Sequence, residues 1–95
     1  ELFRYDVSDE SITKVNGGLV TGGDVDSFAV GPKGKRLLYM ANQENVNNDE
    51  VYLYNPRTGD ITKINGTLAA GGDVVYANVD PKKGAFVVYL ADQDT

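Results

Sequence analysis

The sequence predicts an all-β fold built from two copies of one unit, and the main reason is an internal repeat. Displacing the 95-residue chain by 49 positions matches Ile12-Thr13-Lys14 with Ile61-Thr62-Lys63, and Gly22-Gly23-Asp24-Val25 with Gly71-Gly72-Asp73-Val74. A second observation is that no window carries the period of an amphipathic helix. A third is that aromatic and β-branched runs recur about every ten residues, with turn residues between them. These observations predict an antiparallel meander in two repeats, residues 1–49 and 50–95 of a single domain.

Each repeat contains four predicted strands. In the first repeat the strands are Leu2–Val7, Ile12–Val15, Val25–Val30 and Arg36–Ala41, and in the second they are Val51–Asn55, Ile61–Ile64, Val74–Val79 and Ala85–Ala91. Turn residues such as Pro81-Lys82-Lys83-Gly84 separate these strands. Asn65-Gly66 is interpreted as a hairpin turn, because both residue types tolerate a positive φ.

Several strands are bulky on both faces, as in Tyr52-Leu53-Tyr54 and Phe86–Leu90. A sheet with one solvated face would alternate apolar with polar residues. Sheets covered on both faces are typical of propeller blades, which pack between two neighbours, and a period of 45–50 residues with four strands also fits a blade. A solenoid or a β-sandwich remains an alternative, although a sandwich does not explain the duplication.

Three motifs follow one another in a characteristic order. Asn78-Val79-Asp80-Pro81-Lys82-Lys83-Gly84 leads into Phe86–Asp92, the strand Glu50–Asn55 follows a polar turn, and Thr58-Gly59-Asp60 precedes Ile61–Ile64. This order resembles the TolB-like β-propeller repeat over essentially the whole chain. Lys33 and Lys82 stand where that family usually has Asp in a Pro-Asp-Gly turn, and the first repeat has Ser-Asp-Glu where Thr-Gly-Asp is usual. The resemblance implies propeller blades and a periplasmic, cell-surface or secreted setting.

The resemblance also implies how the strands are divided between blades. Its innermost strand precedes the proline turn, so the chain would run as the two outer strands of one blade, then a complete blade, then the two inner strands of another. Two blades cannot close a ring, because propellers typically need four to eight. We therefore expect the two incomplete ends to pair with other copies, three, four or five of which would give six, eight or ten blades, or with the rest of a longer chain. The expected inter-chain residues are Leu2, Phe3, Tyr5, Phe86, Val88 and Leu90.

Acidic residues beside the predicted innermost strands are the candidate metal ligands. Asp24 and Asp73 each follow a Gly-Gly pair, where a ring of aspartates could hold a cation or a basic peptide. The alternative is that they bond backbone donors in a glycine-rich turn. The oxygen-rich stretch Asn42–Glu50 could suit calcium but lacks EF-hand spacing, and a solvated loop is the alternative.

Composition excludes several functions. A net charge of −5 argues against binding nucleic acid, and no apolar stretch is long enough to insert into a membrane. The chain has no histidine and no cysteine, so no imidazole is available to activate its serines, and no catalytic residue is assigned. We expect a non-enzymatic, self-associating scaffold for protein interaction, without a cofactor. The alternatives are a fragment of a larger propeller, either the gating domain of a peptidase or a propeller that binds a metal or a sugar.

Overall fold

The computed structural model describes residues 1–93, so Asp94 and Thr95, the last residues of the second repeat, lie outside it. Eight strands account for its regular structure, together with one turn of 3₁₀ helix at Pro32–Gly34. The strands are β1 (Phe3–Asp6), β2 (Ser11–Lys14), β3 (Val25–Val30), β4 (Leu37–Ala41), β5 (Glu50–Tyr54), β6 (Ile61–Lys63), β7 (Val74–Val79) and β8 (Val87–Ala91). The all-β prediction is confirmed, and the predicted strand ends differ from the observed ones by at most two residues.

The strands form three antiparallel sheets in chain order. β1 and β2 make a two-stranded N-terminal arm, β3-β4-β5-β6 make a four-stranded central sheet, and β7 and β8 make a two-stranded C-terminal arm. Each strand of the central sheet follows its neighbour directly, as in a meander. The first strand of the central sheet and the first strand of the C-terminal arm carry the same irregularity, between Val25 and Ser27 and between Val74 and Tyr76.

The two middle strands of the central sheet, β4 and β5, are covered on both faces. One face packs against the N-terminal arm through a buried cluster centred on Tyr39, Tyr52 and Val15. The other face packs against the C-terminal arm through a second cluster centred on Leu38, Val51 and Val74. Because alternate residues of a strand point to opposite faces, β4 contributes Tyr39 to one cluster and Leu38 to the other. This explains why the central strands are bulky on both sides.

The repeated Gly-Gly-Asp motif allows the backbone before β3 and β7 to pass close to the residue that follows the partner strand, β4 or β8. A Cβ on Gly23 would lie 2.5 Å from the carbonyl oxygen of Asn42, and a Cβ on Gly72 would lie 2.7 Å from that of Asp92. The preceding glycines, Gly22 and Gly71, have φ of 82° and 72°, which favours glycine. The motif therefore sets where β3 and β7 begin.

The predicted hairpin turn at Asn65-Gly66 is wrong. Positive φ among non-glycine residues occurs at Glu10 and Lys33 in the described chain, so Asn65 does not adopt the turn geometry. Its side chain is instead buried, and its Oδ1 accepts a hydrogen bond of 2.9 Å from the Val51 amide. Asn16 does the same for the Leu2 amide at 2.7 Å. The asparagine thus fixes the start of one strand against the end of the next, because a buried amide needs a partner.

Candidate functional site

Each arm contains one strand that lacks a neighbour which its counterpart in the central sheet has. Within residues 1–93, β1 pairs with β2 alone and β8 pairs with β7 alone, whereas β4 and β5 have neighbours on both sides. An unpaired strand presents a row of free amide and carbonyl groups, which is a template for pairing with another strand. The repeat makes β1 the counterpart of β5, and β8 the counterpart of β4. The two free edges therefore belong to the two strand types that pair with each other in the central sheet.

The outer face of the N-terminal arm exposes large apolar side chains. Phe3, Tyr5 and Ile12 surround one shallow apolar depression. Phe3 is 55% exposed, whereas its counterpart in the second repeat, Tyr52, is 2% exposed. Phe3 and Tyr52 occupy the same position in the repeat, and their strands pair in the same way with the outer strand of each sheet. The exposure of Phe3 therefore arises because the arm lacks the neighbours that bury Tyr52.

The outer face of the C-terminal arm shows the same contrast. Val88 is 57% exposed, while its counterpart Leu38 is 2% exposed. Phe86 and Leu90 are also exposed. On β3 the relation is reversed, since Val30 is 60% exposed and its counterpart Val79 on β7 is 4% exposed. The repeat thus contains its own comparison: a position is buried where neighbouring strands cover it and exposed where those strands are missing.

Of the six residues predicted for an inter-chain surface, five are exposed and one is not. Phe3, Tyr5, Phe86, Val88 and Leu90 are more than half exposed. Leu2 is only partly exposed. Its side chain points to the face opposite to that of Phe3 and packs against the cluster that contains Val15. Alternation along β1 separates Leu2 from Phe3.

A hydrogen-bonded latch joins each pair of neighbouring sheets. The Tyr39 hydroxyl donates to Gln43 Oε1 at 2.7 Å, and the Gly17 amide donates to the same oxygen at 3.0 Å. Burial raises the pKa of Tyr39, so its hydroxyl stays protonated and able to donate. The second latch repeats these contacts: the Tyr89 hydroxyl and the Gly66 amide donate to Gln93 Oε1 at 2.7 and 2.9 Å.

Sequence reasoning missed both glutamines and both buried asparagines. The signal was the repeat itself, in which Gln43 matches Gln93 and Asn16 matches Asn65. Polar residues at matched positions indicate a shared structural contact as readily as an active site, and here each contact recurs with the same atoms.

The two aspartates predicted as metal ligands lie in different surroundings. Asp73 Oδ1 accepts a hydrogen bond of 2.7 Å from the Asp49 amide, which is the backbone role weighed as the alternative. Asp24 is exposed, and its own amide donates to Asn42 Oδ1 at 2.6 Å. Within residues 1–93, no three acidic side chains converge in a way that could hold a metal ion.

The carboxyl group of Asp49 is the most perturbed acid. Burial, and then the neighbouring carboxylates of Asp26 and Asp73, raise its pKa to about 6. Its folded pKa exceeds its ordinary value, so protonation favours the folded state. The contribution to stability is present in full below about pH 4 and is lost as the pH rises through 6.

Replacing Asp49 with asparagine should therefore raise the free energy of unfolding at pH 7 by about 1 kcal/mol, since partial exposure weakens the repulsion. At pH 4 the difference from the wild type should nearly vanish. Urea unfolding at fixed protein concentration measures both values. Asp60→Asn, on an exposed turn, controls for the loss of one negative charge, and an equal gain in both variants would contradict the assignment to Asp49.

Both glutamates of the oxygen-rich loop Asn42–Glu50 form hydrogen bonds or ion pairs within the protein. Glu44 accepts hydrogen bonds from the Tyr52 hydroxyl at 2.7 Å and from Lys63 Nζ at 3.3 Å. Lys63 also pairs with Glu50 at 3.3 Å, and Lys14 pairs with Glu1 at the same distance in the first repeat. An ion pair that recurs at matched positions indicates a contact that accompanies strand pairing, not a reactive site.

No protein-family model matches the chain, and no curated protein and no solved structure is significantly similar to it. Within the described residues, no helix has the length and hydropathy needed to cross a bilayer.

Proposed function

We propose that this chain is a non-enzymatic β-propeller scaffold that self-associates into a closed ring and presents loops for protein interaction. In this proposal the central sheet is one complete blade, and the two arms are complementary halves of another. The strand order of the three sheets supports it, because a blade is a four-stranded antiparallel meander covered on both faces. The resemblance of the sequence to TolB-like repeats points to the same architecture and to an envelope or secreted setting.

The observation that carries the proposal is the contrast between matched positions of the two repeats. Phe3 and Val88 are exposed where Tyr52 and Leu38 are buried. Burying a large apolar side chain stabilises a complex by roughly 1.5–3 kcal/mol. Faces that expose several such side chains therefore favour binding of a partner. A second copy supplies the missing faces and edges without any new kind of contact. Because the two arms differ, the contact is head-to-tail, which closes a ring where the rotation permits.

The amino-acid composition supports a scaffold. The chain has no histidine and no cysteine, so it has neither an imidazole base nor a thiolate nucleophile. The loops at the ends of the sheets are the surfaces that could vary to suit a partner.

The competing proposal is that the missing neighbours come from further blades of a longer chain, as in the gating propeller of a peptidase or a ligand-binding propeller. It predicts the same exposed faces. The two proposals differ in the behaviour of the 95-residue chain alone.

Size-exclusion chromatography with light scattering tests the self-association. We expect one species at three, four or five times the monomer mass of 10.2 kDa, which corresponds to six, eight or ten blades. Native mass spectrometry should give the same number. A stable monomer at micromolar concentrations would contradict self-association and favour the longer chain.

A further inference from the structure

We infer that β8 of a second copy pairs antiparallel with β1, in the register that joins β4 to β5, so that one blade is shared between two copies. This inference rests on the proposed self-association and adds to it the identity of the paired strands, their direction and their register.

The register comes from the central sheet. There Leu38 lies opposite Leu53, Tyr39 opposite Tyr52 and Met40 opposite Val51. The repeat places Val88, Tyr89 and Leu90 at the positions of the three β4 residues, and Arg4, Phe3 and Leu2 at the positions of the three β5 residues. The shared blade therefore pairs Val88 with Arg4, Tyr89 with Phe3 and Leu90 with Leu2.

The direction in which side chains point agrees with this register. Tyr89 packs against the central sheet of its own copy, and Phe3 would extend the same face over Leu53 and Ile64 of that copy, which are only partly buried. A slip by one residue would turn every side chain of one strand to the wrong face.

The opposite face of the shared blade is also matched. Val88 and Leu90 would join Leu2, which already packs against the neighbouring central sheet, and would cover Phe28 and Val30 on β3. All five of these residues except Leu2 are exposed in the single copy. One strand pairing thus covers both arms and the open part of β3.

The aromatic contact of the central sheet has a counterpart in the shared blade. Tyr39 and Tyr52 stack with ring centroids 5.1 Å apart and planes 19° from parallel. Tyr89 would stack on Phe3 in the same way. The Tyr52 hydroxyl donates a hydrogen bond to Glu44. Phe3 has no hydroxyl, so it can be buried without a hydrogen-bond partner.

Cysteine cross-linking tests the inference, because the chain has no cysteine of its own. Arg4→Cys and Val88→Cys are prepared as separate proteins, mixed and oxidised mildly. Opposed residues of antiparallel strands lie within the reach of a disulfide. We expect the mixture to give a cross-linked dimer on a non-reducing gel, with at least ten times more product than either variant alone.

Leu90→Cys mixed with Arg4→Cys is the register control. Leu90 lies on the same face of β8 as Val88 but two residues away, so its product should be several-fold weaker. Efficient cross-linking through Leu90, or of either variant with itself, would overturn the register or the head-to-tail direction. The mass of the unoxidised protein separates the two failures: an oligomer without the Arg4–Val88 product refutes the shared blade alone, and a monomer refutes the self-association as well.

Discussion

Replacing Val88 with lysine is expected to dissociate the proposed assembly into single chains. Val88 is exposed in one copy but would lie at the centre of a shared blade, facing Phe28 and Val30. The new ammonium group would lie directly opposite Arg4, and burying it beside a like charge costs several kcal/mol, so we expect the association constant at each junction to fall by about 100-fold or more. Light scattering across a dilution series measures the change. The far-UV circular dichroism should stay unchanged, because the side chain makes no contact that the single copy needs.

Val7→Lys is the matched control. Val7 is the most exposed of the large apolar residues, and it lies in the turn after β1, outside the proposed pairing. The same change in charge at that position should leave the oligomer intact. If both variants dissociate equally, net charge and not the arm surface governs association. If Val88→Lys keeps the mass of the wild type, the C-terminal arm is not the contact.

Replacing Gly23 with alanine is expected to destabilise the fold by about 2–4 kcal/mol. The new Cβ would lie 2.5 Å from the carbonyl oxygen of Asn42 and 3.0 Å from that of Val20. Both atoms belong to the backbone. The Val20 oxygen accepts a hydrogen bond from the Gly23 amide, and Asn42 is held in place by its own amide, which donates to the carbonyl oxygen of Asp24. Moving either atom away from the new Cβ would disturb these hydrogen bonds at the start of β3. Urea unfolding gives the loss.

Gly18→Ala provides the comparison within the same loop. No atom lies within 4 Å of a Cβ at Gly18, and its φ is not positive, so alanine fits there. Alanine also restricts the unfolded chain, so a gain of up to about 1 kcal/mol is expected. A similar loss in both variants would mean that loop flexibility, and not the close approach at Gly23, explains the result.

The sequence predicted most of the fold because the repeat duplicates every signal. Strands were recognisable where β-branched and aromatic residues cluster, and the Gly-Gly-Asp motif marked where β3 and β7 begin. Local patterns did not reveal the role of Asn65, because Asn-Gly is a turn signal whatever the asparagine contacts. They also did not reveal Gln43, whose partners Tyr39 and Gly17 come from different sheets.

The candidate surface was predicted only in part, for a similar reason. A strand that is apolar on both faces does not say which face its own chain covers. Leu2 and Phe3 are adjacent and equally apolar, yet Leu2 packs inward and Phe3 points outward. That distinction depends on the position of the central sheet, which is a property of the folded chain.

The two glutamine latches have a consequence for the geometry of any larger particle. Gln43 ties the N-terminal arm to the central sheet, and Gln93 ties the central sheet to the C-terminal arm through the same pair of donors. The angle between each pair of successive sheets therefore depends on contacts within a single chain. If copies join end to end, the single chain determines how strongly the ring curves. We then expect rings of one size instead of a range of sizes.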